Sequence, residues 1–141
     1  MAAEKAAAAR VSGHFTLAAD TVVAVGRRIL PKAADAGEVQ TCLELLSGRR
    51  HHVITAVTLI DPAGHVSERV VDTAVIMARL SHDQLAVYAA CDEGLGKAGG
   101  YAIQGRAAAF VRQIGGSYSA VVGLPLFETA QLLRGRGYPV P

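Results

Sequence analysis

Tryptophan is absent from these 141 residues and only 5% are aromatic, yet 51% are apolar. That supply suits one domain with a real core, formed mainly by aliphatic side chains. Cysteine is almost as scarce. Cys42 and Cys91 lie far apart and no CxxC spacing occurs, which argues against a disulfide framework or a zinc site and fits a reducing cytoplasm. Excess charge is lacking too: the net value is +2, and the basic residues are scattered apart from the pairs Arg27-Arg28 and Arg49-Arg50. A duplex-binding face needs a basic stripe, so nucleic acid is not the expected partner. No apolar run reaches the ~18 residues of a membrane span, and Met1 to Arg10 has neither the apolar centre nor the cleavage pattern of a signal peptide. A soluble, intracellular protein is expected, with no membrane association. Internal repeats, low-complexity tracts and linker-like segments are also missing, which leaves residues 1–141 as a single domain.

The stretch that organises the chain runs from Phe15 to Lys32, FTLAADTVVAVGRRILPK. Asp20 is its one carboxylate, set in an apolar run where an unpaired acid costs several kcal/mol to bury. It should therefore meet a cation, a metal or a cleft, unless it caps a turn at a strand end.

Before it, Met1 to Arg10 is almost pure helix former, and Gly13 stands where a helix would stop. Phe15 to Val25 reads as a strand whose Val-rich continuity suggests cover on both faces. Arg27 to Pro31 is a turn and a short extended piece. From Asp35, a natural cap, Val39, Cys42, Leu43 and Leu46 recur at helical spacing until Ser47-Gly48. His52 to Ile60 and Val66 to Met77 form a hairpin about the turn Asp61 to Gly64. Ser81 to Gln84 is a capping box for a helix whose inner face is Leu85, Tyr88 and Ala89. Ala108 to Ile114 and Tyr118 to Val122 read as two more strands joined at Gly115-Gly116, and Leu126 to Leu133 as a closing helix begun by Pro125. The architecture expected is α/β, a mixed sheet flanked by helices.

Between these elements lies Asp92 to Gly105, with five glycines around Glu93, Lys97 and Gln104. Such a loop lets backbone approach a ligand closely and leaves amides free to bind oxygen. It matches neither a Walker loop nor a dinucleotide fingerprint. Elsewhere, the neighbours His51 and His52 look like a metal pair, but adjacent strand residues face opposite ways and cannot easily hold one ion. His14, His65 and His82 read as turn and surface residues, Cys42 as core, and Ser117 has no legible His/Asp partnership.

Four segments carry a resemblance. Ala19-Asp20-Thr21 with Lys32, Leu45 to Gly48 with His52 to Thr55, Lys97 to Gly105, and Gly116 to Leu126 resemble, in the same order, the Maf family of nucleoside triphosphate pyrophosphatases. The resemblance runs from about Glu4 to the end. It implies a two-lobed mixed α/β fold related to inosine triphosphate pyrophosphatases, and hydrolysis of a nucleoside triphosphate to the monophosphate and pyrophosphate with a divalent metal. Lys97 and Gln104 resemble the branch that takes dTTP and UTP. Asp20 matches the family's proton acceptor, Lys32 and Lys97 match lysines facing the triphosphate, and Lys5 matches another. Thr21 and Gln104 match positions that tune base specificity, since a carboxamide donates and accepts at once. Mg²⁺ or Mn²⁺ is the implied cofactor, held by Asp20 with Glu93 as a second candidate, and Mg²⁺ in particular needs only a carboxylate or two beside phosphate oxygens.

One departure stands out. Family members open with a strand and a Ser/Arg phosphate loop, and a downstream Glu completes the site; none of these occurs ahead of Met1. The expectation is a domain short of its first strand, with an uncovered sheet edge that favours association such as a homodimer. Losing charge-assisted contacts of ~1.5–3 kcal/mol each could remove turnover. The alternative reading is therefore a non-catalytic nucleotide-binding or interaction protein, tied to cell division as the family's septum-formation name implies.

Overall fold

The computed structural model describes all residues from Met1 to Pro141. Five strands form one sheet in the order β2-β1-β3-β4-β5: β1 (Thr16–Val25), β2 (Arg28–Leu30), β3 (Arg50–Ile60), β4 (Val66–Met77) and β5 (Val111–Gly115). Every pairing is antiparallel. The α/β class holds, but the mixed sheet expected from sequence does not. Neighbouring strands here follow one another through short turns or return by a helix to an edge already facing the opposite way, so no parallel crossover is needed.

The helices are α1 (Ala2–Ala9), α2 (Ala36–Leu46), α3 (His82–Ala90), α4 (Tyr118–Val122) and α5 (Leu126–Gly135), with a 3₁₀ turn at Arg106–Phe110. Their starts follow the cap chemistry in the sequence. Asp35 accepts from the Glu38 amide at 2.8 Å, and Ser81 and Gln84 form a reciprocal box. No helix is long and apolar enough to cross a membrane.

Tyr118 to Val122 corrects the sequence reading. Its β-branched and aromatic content suggests a strand, yet Ser117 caps a helix by accepting from the Ala120 amide at 3.1 Å. Glycines at positive φ, Gly116 at 134° and Gly123 at 131°, break the chain on either side. Five residues are too few for periodicity to decide, and the cap decides instead. Likewise Ala108 falls in the 3₁₀ turn, so the strand expected from Ala108 begins only at Val111.

The main core packs α2 and α3 against one end of the sheet. Val23, Val25, Val53, Val75 and Met77 meet Val39, Leu43, Leu46, Leu85 and Tyr88, and Cys42 sits among them as expected. A smaller cluster of Val57, Leu59 and Leu132 fixes α5 at the other end. β1 is less enclosed than its Val-rich sequence suggests: only Thr16, Val23 and Val25 are fully buried. β2 accompanies it over Val23 to Val25 alone, so the stretch from Thr16 to Val22 pairs only with β3.

His51 and His52 take opposite faces, as adjacent strand residues must. His52 is half-buried and pairs with Asp72 at 2.8 Å. His51 is wholly buried, its Nε2 2.7 Å from the Tyr101 hydroxyl and its Nδ1 without a partner. Burial, with His52 adding repulsion, pushes its pKa down to about 4. The unfolded chain takes up this proton near pH 6.5 and the folded chain resists until about 4, so stability declines as pH falls through that window and is level above it. The loss amounts to about 3 kcal/mol at the acid end. Denaturant midpoints measured between pH 7.5 and 4.5 should show it, and His51→Gln, which cannot titrate, should remove that part of the slope.

Candidate active site

A cleft of about 510 Å³ opens where β2 gives out alongside β1. Its walls come from α1 (Lys5), β1 (Ala19, Asp20, Thr21), the segment after β2 (Lys32), the glycine-rich loop (Glu93, Lys97, Gln104) and α4 (Val121, Val122). Seven polar positions singled out in the sequence therefore share one cavity: Lys5, Asp20, Thr21, Lys32, Glu93, Lys97 and Gln104. They span a hundred positions of chain. Only the packing of α1 and the loop onto the sheet brings them together.

Asp20 lies in mid-strand, which sets aside the reading in which it caps a turn. Its side chain is 9% exposed, and Oδ1 accepts from the Lys5 ammonium. That hydrogen bond holds its carboxyl below the usual range; burial opposes it, and the charges of Lys5, Lys32 and the chain's amino terminus add to the lowering. Asp20 is therefore an anion at neutral pH. Oδ2 has no protein donor, so one oxygen remains for a cation or a water.

Lys32 and Lys97 are exposed, and neither is paired with an acid. Backbone bonds bring their segments together. The Ala33 amide donates to the Lys97 carbonyl at 3.2 Å, the Gly96 amide to the Ala33 carbonyl at 2.8 Å, and the Gly99 amide to the Pro31 carbonyl at 3.2 Å. Two phenols complete the seat of the loop: the Tyr88 hydroxyl accepts from the Ala102 amide at 3.1 Å, and Tyr101 reaches down to His51. Gly100 shows why this loop is rich in glycine. At φ +76° a Cβ there would stand 2.9 Å from that of Cys42.

Glu93 is differently occupied. Its Oε2 accepts from the Arg106 amide at 2.8 Å and its Oε1 lies 4.0 Å from the Arg106 guanidinium. No three His, Cys, Asp or Glu side chains cluster anywhere in the fold. The donor set thus fits a hard cation taking one carboxylate oxygen from Asp20 and the rest from ligand and water. It does not fit a closed protein cage.

The residues that sequence reasoning passed over are those that hold the site in place. His51 and Tyr101 form the loop's buried anchor. Thr55 takes part in a hydrogen-bonded series: its Oγ1 lies 2.9 Å from that of Thr21 and donates to the Ala120 carbonyl at 2.7 Å. Thr73, on β4, meets the backbone of Ser117 at 3.2 and 3.4 Å. A threonine inside a buried strand was the available signal, because its hydroxyl must find a partner.

Sequence comparison places the chain in a family. The family model for Maf-like proteins matches residues 1–136. A dTTP/UTP pyrophosphatase of Paramagnetospirillum magneticum is 62% identical over 133 residues, covering 94% of this chain and 70% of that protein. Proteins of the same name from Granulibacter bethesdensis and Caulobacter vibrioides are 61% and 55% identical, covering 92% and 98% of this chain and 61% and 72% of their own lengths. The chain therefore spans from about three fifths to seven tenths of the curated relatives it matches.

The Lys5–Asp20 contact has a direct test. In Lys5→Met the Asp20 carboxyl loses its largest stabilising partner while its burial persists, so its pKa should rise toward or past 3.8. A carboxyl NMR titration of both proteins measures this. An unchanged value would mean that the lysine does not hold the acid.

Proposed function

This chain belongs to the Maf-like protein family, and from that premise we propose that its cleft hydrolyses dTTP or UTP to the monophosphate and pyrophosphate. One observation carries the reading: Asp20 and three lysines, Lys5, Lys32 and Lys97, line the same cavity as Thr21 and Gln104. Three cations in a cavity of ordinary ligand size suit a triphosphate, and the two uncharged polar side chains suit a base.

In this reading a water attacks the α-phosphorus. A new phosphorus–oxygen bond forms, the bond to the α,β-bridging oxygen breaks, and pyrophosphate leaves with the electron pair. Asp20 takes the proton of the attacking water. A carboxylate held below its usual pKa is a weak base, so most of the rate must come from alignment and charge neutralisation. Lys32 and Lys97, free of protein acids, serve the triphosphate as point charges, and Lys5 moves part of its hydrogen bonding from Asp20 to a phosphate oxygen. A divalent cation, Mg²⁺ or Mn²⁺, would be held by Asp20 with phosphate oxygens and would supply further charge neutralisation at the reacting phosphate. Glu93 stays a candidate ligand through Oε1, which accepts no hydrogen bond, while Oε2 keeps the Arg106 amide. Two free cysteines, one of them buried, suit work in a reducing cytoplasm.

Asp20→Asn should lower pyrophosphate release from dTTP and UTP by about 10²- to 10⁴-fold in a protein that still folds, as circular dichroism would verify. Undiminished release would sink the assignment. Triphosphate binding by the unaltered chain with no release at all would favour the non-catalytic alternative.

A further inference from the structure

Thr21 and Thr55 stand opposite one another in the β1–β3 register, Thr21 half-buried at the cleft wall and Thr55 wholly buried behind it. Their hydroxyls are 2.9 Å apart, and that of Thr55 is also 2.7 Å from the Ala120 carbonyl. A hydroxyl has one proton, and a carbonyl oxygen can only accept. The Thr55 proton is therefore committed to Ala120. It follows that Thr55 receives its second hydrogen bond from Thr21, whose own proton is thereby spent on the buried side. What Thr21 has left to offer is a lone pair.

The far end of this relay is firmly held. Ala120 lies in a helix of five residues, where carbonyls go without intrahelical partners, and Thr55 supplies the missing donor. Ser117 fixes the helix by capping the Ala120 amide at 3.1 Å, and its own amide donates to Thr73 on β4 at 3.2 Å. The polarity of the relay cannot reverse unless the Ala120 carbonyl is left unpaired in the interior, a cost that natural structures rarely bear.

We infer that Thr55, through this relay, fixes Thr21 as a hydrogen-bond acceptor and so makes the cleft select bases that offer a ring N–H donor. Thymine and uracil carry such a donor at N3, whereas cytosine presents an acceptor there. Gln104, exposed and without a protein partner, is free to meet the carbonyl oxygens beside N3. Thr55 is thus a positioning residue: it touches no ligand and sets the sense in which Thr21 reads one. The inference rests on the proposal that the cleft takes a pyrimidine nucleotide.

The test is calorimetric affinity for UTP and CTP without metal, on the unaltered chain and on Thr55→Val, Thr55→Ala and Thr55→Ser, with pyrophosphate release measured in parallel. The unaltered chain should prefer UTP by about tenfold, the difference one matched hydrogen bond makes. Thr55→Val and Thr55→Ala free the Thr21 proton and should bring the two affinities within about twofold, mainly by improving CTP. Thr55→Ser restores the relay and should keep the preference. Equal weakening for both nucleotides in the Val and Ala variants would show a purely structural role and overturn the inference, as would no preference in the unaltered chain. Selective UTP binding without pyrophosphate release would defeat the proposed hydrolysis and leave the inference standing. Release with selectivity unaltered in the two relay-breaking variants would defeat the inference alone.

Discussion

The register of β1 on β3 is the constraint on which the site depends. It sets Asp20 opposite Ala56 and Thr21 opposite Thr55, and the pleat then sends these two neighbours to opposite faces of the sheet. On one face Asp20 meets Lys5 of α1; on the other Thr21 meets the relay that ends in α4. A slip of one residue would exchange the two, burying the acid against α4 and leaving the hydroxyl under a lysine. Because the pairing of β2 with β1 stops at Val23, the cleft can wrap around this edge and draw on both faces at once.

The glycine-rich loop completes the arrangement by being held rather than by being free. Three backbone bonds tie it to the segment that bears Lys32, and two tyrosines pin its far half. The His51–Tyr101 anchor is costly, since a buried imidazole nitrogen goes unpartnered. What the polar pair supplies is direction, holding the loop at a fixed depth above β3 so that Lys97 and Gln104 face the cleft.

Charge is distributed with similar economy. The cavity contains two engaged anions, Asp20 on Lys5 and Glu93 on Arg106, and two lysines that no acid neutralises. An arrangement of this kind attracts a polyanion while keeping Asp20 ionised, because Lys5 above all, with Lys32 adding to it, holds that carboxyl below its usual pKa. The net charge of the whole chain, only +2, gives no hint of this local field.

Much of the local structure was legible in the residues themselves. Asp35, Ser81 and Pro125 mark helix starts because capping is chemistry between near neighbours, and the β-branched residues of β3 and β4 on either side of the turn announce a hairpin about Asp61 to Gly64. The buried acid at Asp20 and the glycines around Lys97 also pointed to a site, since each is costly or unusual without one. Tyr118 to Val122 was misread, because five residues, three of them β-branched or aromatic, carry no usable period and the deciding contact is a hydroxyl three residues away. Strand direction was misread too, for pairing is settled between segments distant in the chain. Tertiary structure alone decided that His51 serves as an anchor, that Lys5 meets Asp20, and that Thr55 spends its proton on Ala120. Each of those contacts joins residues 15 to 65 positions apart, and a hydrogen bond's direction depends on the complete set of its neighbours.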